Sequence, residues 1–152
     1  MAMNFEAPQG LLDFLKLREG WRTNVYLDSV GKPTVGMGHL LTDSENGEYH
    51  VGATVPDDIL NRWTASDVQQ AYNAALNQTE HLGLDSQDFA NALASVNFQL
   101  GTSWFSKFPK TWSLMRSKQW QAAANEIKQS LWYKQTPVRV EDFILALEKL
   151  TN

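Results

Sequence analysis

Residues Glu19 to His39 read EGWRTNVYLDSVGKPTVGMGH, and this stretch decides the fold. No helical period runs through it. Gly31, Pro33, Gly36 and Gly38 punctuate β-branched and aromatic residues, which predicts short strands joined by turns. Just upstream, Leu11, Phe14 and Leu15 recur at the spacing of one helix face, with Pro8 suited to a first turn and Gly20 to a stop. Downstream, Asn46-Gly47, Gly52 and Pro56 mark a polar stretch of loop and short helix. The remainder reads as helices. Ser66 is expected to cap one that runs to about Leu82 and ends at Gly83. Ser86 caps the next, whose stripe Phe89, Leu93, Val96 and Leu100 stops at Gly101. Trp120, Ala124, Ile127 and Leu131 repeat that spacing, and Thr136-Pro137 opens a last helix buried through Val140, Phe143, Ile144 and Leu147. The class is α+β: one domain over residues 1–152 with two lobes, β-rich at about 21–41 and helical at about 66–150. A cleft between a small antiparallel sheet lobe and a larger helical lobe is the expected ligand site.

Composition narrows the function. With 152 residues the chain buries enough surface to fold without a staple. Thirteen Lys and Arg against seventeen Asp and Glu give a net charge of −4, which argues against a nucleic-acid binder that must neutralise phosphates. The absence of cysteine excludes disulfides, thiolate metal sites and a cysteine nucleophile. The longest apolar run, Phe143 to Leu147, is far short of the ~18 residues of a membrane span. The first ten residues, MAMNFEAPQG, lack the pattern of a signal peptide, so a protein acting outside the cytoplasm is expected to need something else to let it out.

Within the deciding stretch, Glu19 ends a predicted helix, Asp28 lies nine residues on within a predicted hairpin, and Thr34 follows six residues later. Two carboxylates delivered by different elements can divide acid and base work, the division that glycosidic cleavage needs. Each residue also has a plainer reading. Acidic residues at helix ends and turns are usually solvated, Asp28-Ser29 is a good turn former, and Thr34 is a good strand former. Gly36 and Gly38 serve backbone geometry. His39 is expected to have its ring bonded to a buried carboxylate, and His50 and His81 have no company that suggests metal ligation. Trp120 and Trp132 fall at core-like spacing. Trp21, Trp63, Trp104 and Trp112 are less determined, with packing the default and stacking on a sugar face open to one or two of them.

Several separate blocks, in order and in register from about Leu11 to Arg139, resemble the phage-type lysozymes, glycoside hydrolase family 24. They are Glu19-Gly20, Tyr26-x-Asp28, Gly31, Thr34-x-Gly36-x-Gly38-His39 and Leu40-Leu41-Thr42. Further on come Asn97-Phe98-Gln99-Leu100-Gly101 with Phe105, and Ser130-x-Trp132-Tyr133-x-Gln135-Thr136-Pro137-x-Arg139. The resemblance implies a lysozyme-like fold and an endolysin, a muramidase that hydrolyses the β-1,4 bond between N-acetylmuramic acid and N-acetylglucosamine in bacterial peptidoglycan. It implies an inverting mechanism with Glu19 as general acid, Asp28 as the carboxylate that stabilises positive charge and activates water, and Thr34 holding that water. The carboxyl groups of an inverting pair are expected roughly 6.5–9.5 Å apart. His39, Gln99, Gly101 and Arg139 are carried over as substrate-side residues, Arg139 in a positioning role near the acid. No cofactor and no metal is implied. The expected partner is the peptidoglycan glycan strand, reached after the host membrane is permeabilised, as by a holin. A monomer that binds no nucleic acid and inserts in no membrane is expected.

The chain departs from the family pattern at two places. Arg18 is basic where the family is acidic, and Val140-Glu141-Asp142 is acidic where the family is basic, so Arg18 and Asp142 are expected to form a charge-reversed pair. The net charge is also negative where wall-cleaving lysozymes are often basic. A local positive cleft from Arg22, Lys32, Lys107, Lys110 and Arg139 is the compensation this composition allows. Two other readings compete: a lytic transglycosylase, which can work with one Glu and so has no need of Asp28 and Thr34, and a non-catalytic glycan-binding module, which has no need of all three. Delivery as a secreted toxin or tail-associated domain would keep the chemistry and change the biology.

Overall fold

The computed structural model describes residues 7–151, and its elements follow the chain in the predicted order. Helix α1, Gln9–Glu19, starts after an extended Pro8 and stops at Gly20, whose φ of 79° lies in the left-handed region that glycine enters freely. Strands β1, Arg22–Leu27, β2, Pro33–Gly36, and β3, His39–Leu40, form an antiparallel sheet in the order β1-β2-β3. The register between β1 and β2 shifts from Arg22↔Gly36 to Tyr26↔Thr34, so four residues of β1 span two of β2. At this bulge the free edge of β1 pairs with a later segment: the Val25 N–H donates to Ala53 O, and Val55 N–H to Thr23 O. Helix α2, Asp43–Glu48, opens with a reciprocal capping box between Thr42 and Glu45.

Helix α3 runs Asp57–His81 and starts ten residues earlier than a Ser66 cap predicts. Its true start carries Pro56 followed by Asp57 and Asp58, the latter two suited to the positive end of the helix dipole. Ser66 is simply an exposed residue of the helix. The extra turns are held by burial: Ile59, Leu60 and Trp63 pack with Val25, Val35, Val55, Trp21, Leu41 and Tyr49 in the core under the sheet.

The second half is helical: α4, Gln87–Leu100, a 3₁₀ turn at Trp104–Ser106, α5, Pro109–Arg116, α6, Trp120–Ile127, α7, Leu131–Gln135, and α8, Pro137–Lys149. Ser86 caps α4 as expected, its hydroxyl accepting from Phe89 N–H. Thr136 stands at the start of α8, but its hydroxyl does not cap: it accepts from Gln99 Nε2 and faces Trp132 O. Leu131 does not continue the stripe of Trp120, Ala124 and Ile127. The chain breaks at Lys128–Ser130, and Leu131 begins a new helix with its side chain 67% exposed. The core here is aromatic. Trp104 is wholly buried, with Trp112, Phe143 and Phe105 edge-on to it, and its indole N–H meets no hydrogen-bond partner among the described residues. Trp120 and Trp132 are buried as expected.

The described residues divide into two compact units, 7–69 and 70–151. The first holds α1, the sheet and α2; the second holds α4 to α8, and the boundary falls inside α3.

Candidate active site

Asp28 follows the last residue of β1 and turns the chain back toward β2. Its own N–H donates to Lys32 O, and its Oδ1 accepts from Val30 N–H at 2.9 Å and Lys32 N–H at 2.8 Å. One carboxylate oxygen thus closes a turn, and the other is left without a donor among the described residues. The turn-forming reading and the catalytic reading of Asp28 are served by different oxygens of the same group.

Thr34 lies opposite Tyr26 in the register and is 3% exposed. Its hydroxyl donates to Lys32 O at 2.9 Å, the carbonyl that also receives Asp28 N–H. With its proton committed, that oxygen keeps only acceptor capacity. Asp28 and Thr34 are therefore tied to one residue, Lys32, through its backbone alone.

Glu19 is the last residue of α1, and its partly buried side chain reaches the β2–β3 turn. A Cβ built on Gly38 would stand 4.0 Å from Glu19 Oε2. That turn, Gly36-Met37-Gly38, has φ of 69° and 105° at its two glycines, with Met37 buried between them. Gly36 is doubly required: a Cβ there would lie 3.1 Å from Leu60 Cδ1, besides the left-handed φ. Glu19, Asp28 and Thr34 all fall within the unit 7–69.

His39 has both ring nitrogens engaged: Nδ1 with Asp67 Oδ2 at 2.6 Å and Nε2 with Glu45 Oε1 at 2.9 Å. Its ring stacks on Trp63 at 4.9 Å, and Tyr49 meets Trp63 edge-on. Burial alone would depress the imidazolium, but the hydrogen bonds and charges of Asp67 and Glu45 outweigh it and raise His39 above its ordinary value. Glu45 moves the opposite way. Desolvation works to raise it, and the bond from Thr42 N–H together with the bond and charge of His39 lower it on balance. The expected carboxylate-bonded histidine is found, with two carboxylates that are part-exposed, 21% at Glu45 and 29% at Asp67, where one buried carboxylate was expected. A role for His39 in holding substrate finds no free ring nitrogen, and the ring instead ties β3 and α2 to α3.

The other carried-over residues lie in the unit 70–151. Gln99 donates through Nε2 to Thr136 Oγ1 and accepts through Oε1 from Trp132 Nε1, each at 3.1 Å, so its amide braces α4 against the start of α8. Gly101 is an exposed helix end with φ of 93° and open space where a Cβ would stand. Arg139 is buried, and its Nη2 donates to Ser95 O at 2.9 Å and Ser95 Oγ at 3.0 Å.

Three residues act in ways the sequence reading did not anticipate. Lys32 acts through its backbone, which no side-chain pattern signals. Asp67 is 28 residues from His39, and Asn97 is buried in a reciprocal amide pair with Gln78. Among the described residues no group of three or more His, Asp or Glu side chains could hold a metal ion.

Comparison with known proteins gives a match to the phage lysozyme family model over residues 16–142. The chain is 33% identical to "Probable T4-type lysozyme 2" of Dictyostelium discoideum, over 91% of this chain and 93% of that protein. It is 30% identical to "Peptidoglycan hydrolase gp36" of Pseudomonas phage phiKMV, over 83% of this chain but only 14% of that much longer protein. The "Pre-baseplate central spike protein Gp5" of Enterobacteria phage T4 is 24% identical, over 85% of this chain and 26% of its own length.

Proposed function

The chain belongs to the phage lysozyme family and is a glycoside hydrolase of the lysozyme type, and we propose that it cleaves peptidoglycan with inversion to bring about lysis of a bacterial host. The bond broken is the β-1,4 link between N-acetylmuramic acid and N-acetylglucosamine. Glu19 gives its carboxyl proton to the glycosidic oxygen as the bond to the anomeric carbon lengthens. A water attacks that carbon from the opposite face and passes one proton to the free oxygen of Asp28. Thr34, whose own proton is committed to Lys32 O, accepts the other O–H of that water and orients it. One proton leaves Glu19 and one arrives on Asp28, so the pair must exchange protons with solvent before the next turnover.

The observation that carries this reading is the common anchor of Asp28 and Thr34 on Lys32. It fixes a carboxylate and a hydroxyl acceptor in one hairpin without using the oxygen the chemistry needs. A transglycosylase, which closes an anhydro ring in place of water attack, has no use for such a water-holding pair.

The test is mass spectrometry of fragments released from purified peptidoglycan by the native chain and by Glu19→Gln. Reducing N-acetylmuramic acid ends from the native chain alone are expected. Anhydro ends would replace hydrolysis with transglycosylation, and no fragments from folded protein would leave a glycan-binding module. The anomer formed first, read by proton NMR, separates inversion from retention. The same reading has the enzyme working as a monomer on periplasmic peptidoglycan once the membrane is permeabilised. Expression should then lyse cells only when the membrane is breached.

A further inference from the structure

From Phe89 to Asn125 the chain holds no Asp or Glu, in a protein whose net charge is −4. The cations of that stretch, Lys107, Lys110, Arg116 and Lys118, all fall within twelve residues. Two of the four are spoken for: Lys110 pairs with Glu126 at 3.4 Å, and Lys118 donates to Leu82 O. Arg116 is exposed, and no carboxylate among the described residues pairs with it.

Arg116 lines an open groove of about 580 Å³ together with Phe105, Ser106, Pro109, Trp112, Ser113 and Ser117. That volume is in the range of ligand pockets. Phe105 and Trp112, both half-buried, stack at 4.9 Å with their planes 29° apart. Trp104 meets each of them edge-on from the core and holds the pair in place. Ser106 and Ser117 donate their hydroxyl protons to Ser103 O and Ser113 O, which leaves oxygen lone pairs for outside donors. A rigid aromatic face, hydroxyl acceptors and one unpaired guanidinium suit a ligand with an apolar ring face, hydroxyl donors and a carboxylate.

We propose that this groove is a second saccharide-binding site, which takes a sugar ring of the peptidoglycan strand on the Phe105–Trp112 face and a carboxylate of the strand on Arg116. The assignment rests on peptidoglycan being the substrate. None of its residues belongs to the constellation of Glu19, Asp28 and Thr34. A second grip on a polymer raises the local concentration of its next cleavable bond, so it acts on affinity for the wall more than on chemistry.

The test uses the full chain carrying Glu19→Gln, co-sedimented with purified insoluble peptidoglycan over a range of wall concentrations. Arg116→Glu and Ser113→Glu, both at exposed positions, should each weaken binding about five- to tenfold. Trp112→Leu should do the same, with circular dichroism and thermal melting as the check on its fold; the two exposed substitutions decide the matter if it unfolds. With Glu19 restored, Arg116→Glu and Ser113→Glu should raise KM for polymeric peptidoglycan several-fold and leave kcat within about twofold. Binding equal to that of the parent, or a loss in kcat with affinity intact, would overturn the site. Tight saturation with a neutral N-acetylglucosamine oligomer that ignores Arg116→Glu would overturn the carboxylate contact. Failure of the native chain to release fragments would instead count against the hydrolase reading, and the binding measurement would still stand.

Discussion

The two units spend their polar groups differently. In residues 7–69 the polar side chains close turns and caps, and Asp28 and Thr34 each keep one valence in hand. Asp28 gives Oδ1 to two N–H groups, Thr34 gives its proton to Lys32 O, and Glu45 caps α2 while it holds His39. In residues 70–151 the buried polar groups saturate one another. Gln78 and Asn97 exchange two amide bonds, Asn97 also reaches Ala71 O, and Gln99 is used at both ends by Trp132 and Thr136. A saturated amide is a brace; a half-used carboxylate is a reagent. Changes in the first unit should therefore separate activity from stability, and changes in the second should not.

The sharpest test of that difference is Asp28→Asn. The amide oxygen can accept the same two N–H bonds, so the turn should survive with a thermal midpoint within about 2 °C of the parent. The proposed base is gone, and peptidoglycan hydrolysis should fall ~10²- to 10⁴-fold. A parallel loss of fold and activity would show that both oxygens are structural.

Gly36→Ala breaks the first unit by another route. Its φ of 69° and a Cβ 3.1 Å from Leu60 Cδ1 put strain and overlap at one position. The expected cost is about 2–3 kcal/mol in denaturant unfolding. Gly38→Ala meets nothing closer than Glu19 Oε2 at 4.0 Å and pays only for its φ of 105°, so it should cost less. In the second unit, Asn97→Ala removes three hydrogen bonds and strands Gln78 Oε1 in a buried site, with a cost of about 2 kcal/mol. The folded fraction of that variant should keep its kcat within a few-fold, which is the contrast with Asp28→Asn.

The deciding stretch was legible because glycine, proline and β-branched residues have local, strong preferences, and the structure places strands where they fall. Helix ends at Gly20 and Gly101, and the cap at Ser86, were legible for the same reason. Ser66 misled because its capping preference is local, while the start of α3 is set by Ile59, Leu60 and Trp63 packing into a distant core. Leu131 misled because periodicity continues in sequence across a break the chain makes at Lys128–Ser130. In the proposed site, the types and order of Glu19, Asp28 and Thr34 are readable as a candidate set. The backbone atoms of Lys32 and the pairing of His39 with Asp67 were not, since neither leaves a pattern in nearby residues.

The smallest expected effect comes from that last pairing, and its sign follows from the two shifts. His39 is raised above 6.5, so its contribution is complete below pH 6.5 and is lost as pH rises through the folded value. Glu45 is lowered below 4.5, so its contribution is present above 4.5 and is lost as pH falls through its folded value. The network is therefore fully in place only between about pH 4.5 and 6.5. Thermal melts at pH 5.5 and 8.5 should show the native chain losing stability at the higher pH that His39→Gln does not lose. Glu45 divides its Oε1 between His39 and the cap of α2, so Glu45→Gln should keep part of the cap and reduce the pH-dependent difference without abolishing it. Asp67→Asn should reduce it more, because Asp67 makes the shorter bond, 2.6 Å against 2.9 Å. If the pH difference persists undiminished in His39→Gln, the network is a packing device that merely contains charges, and the first unit would be as saturated as the second.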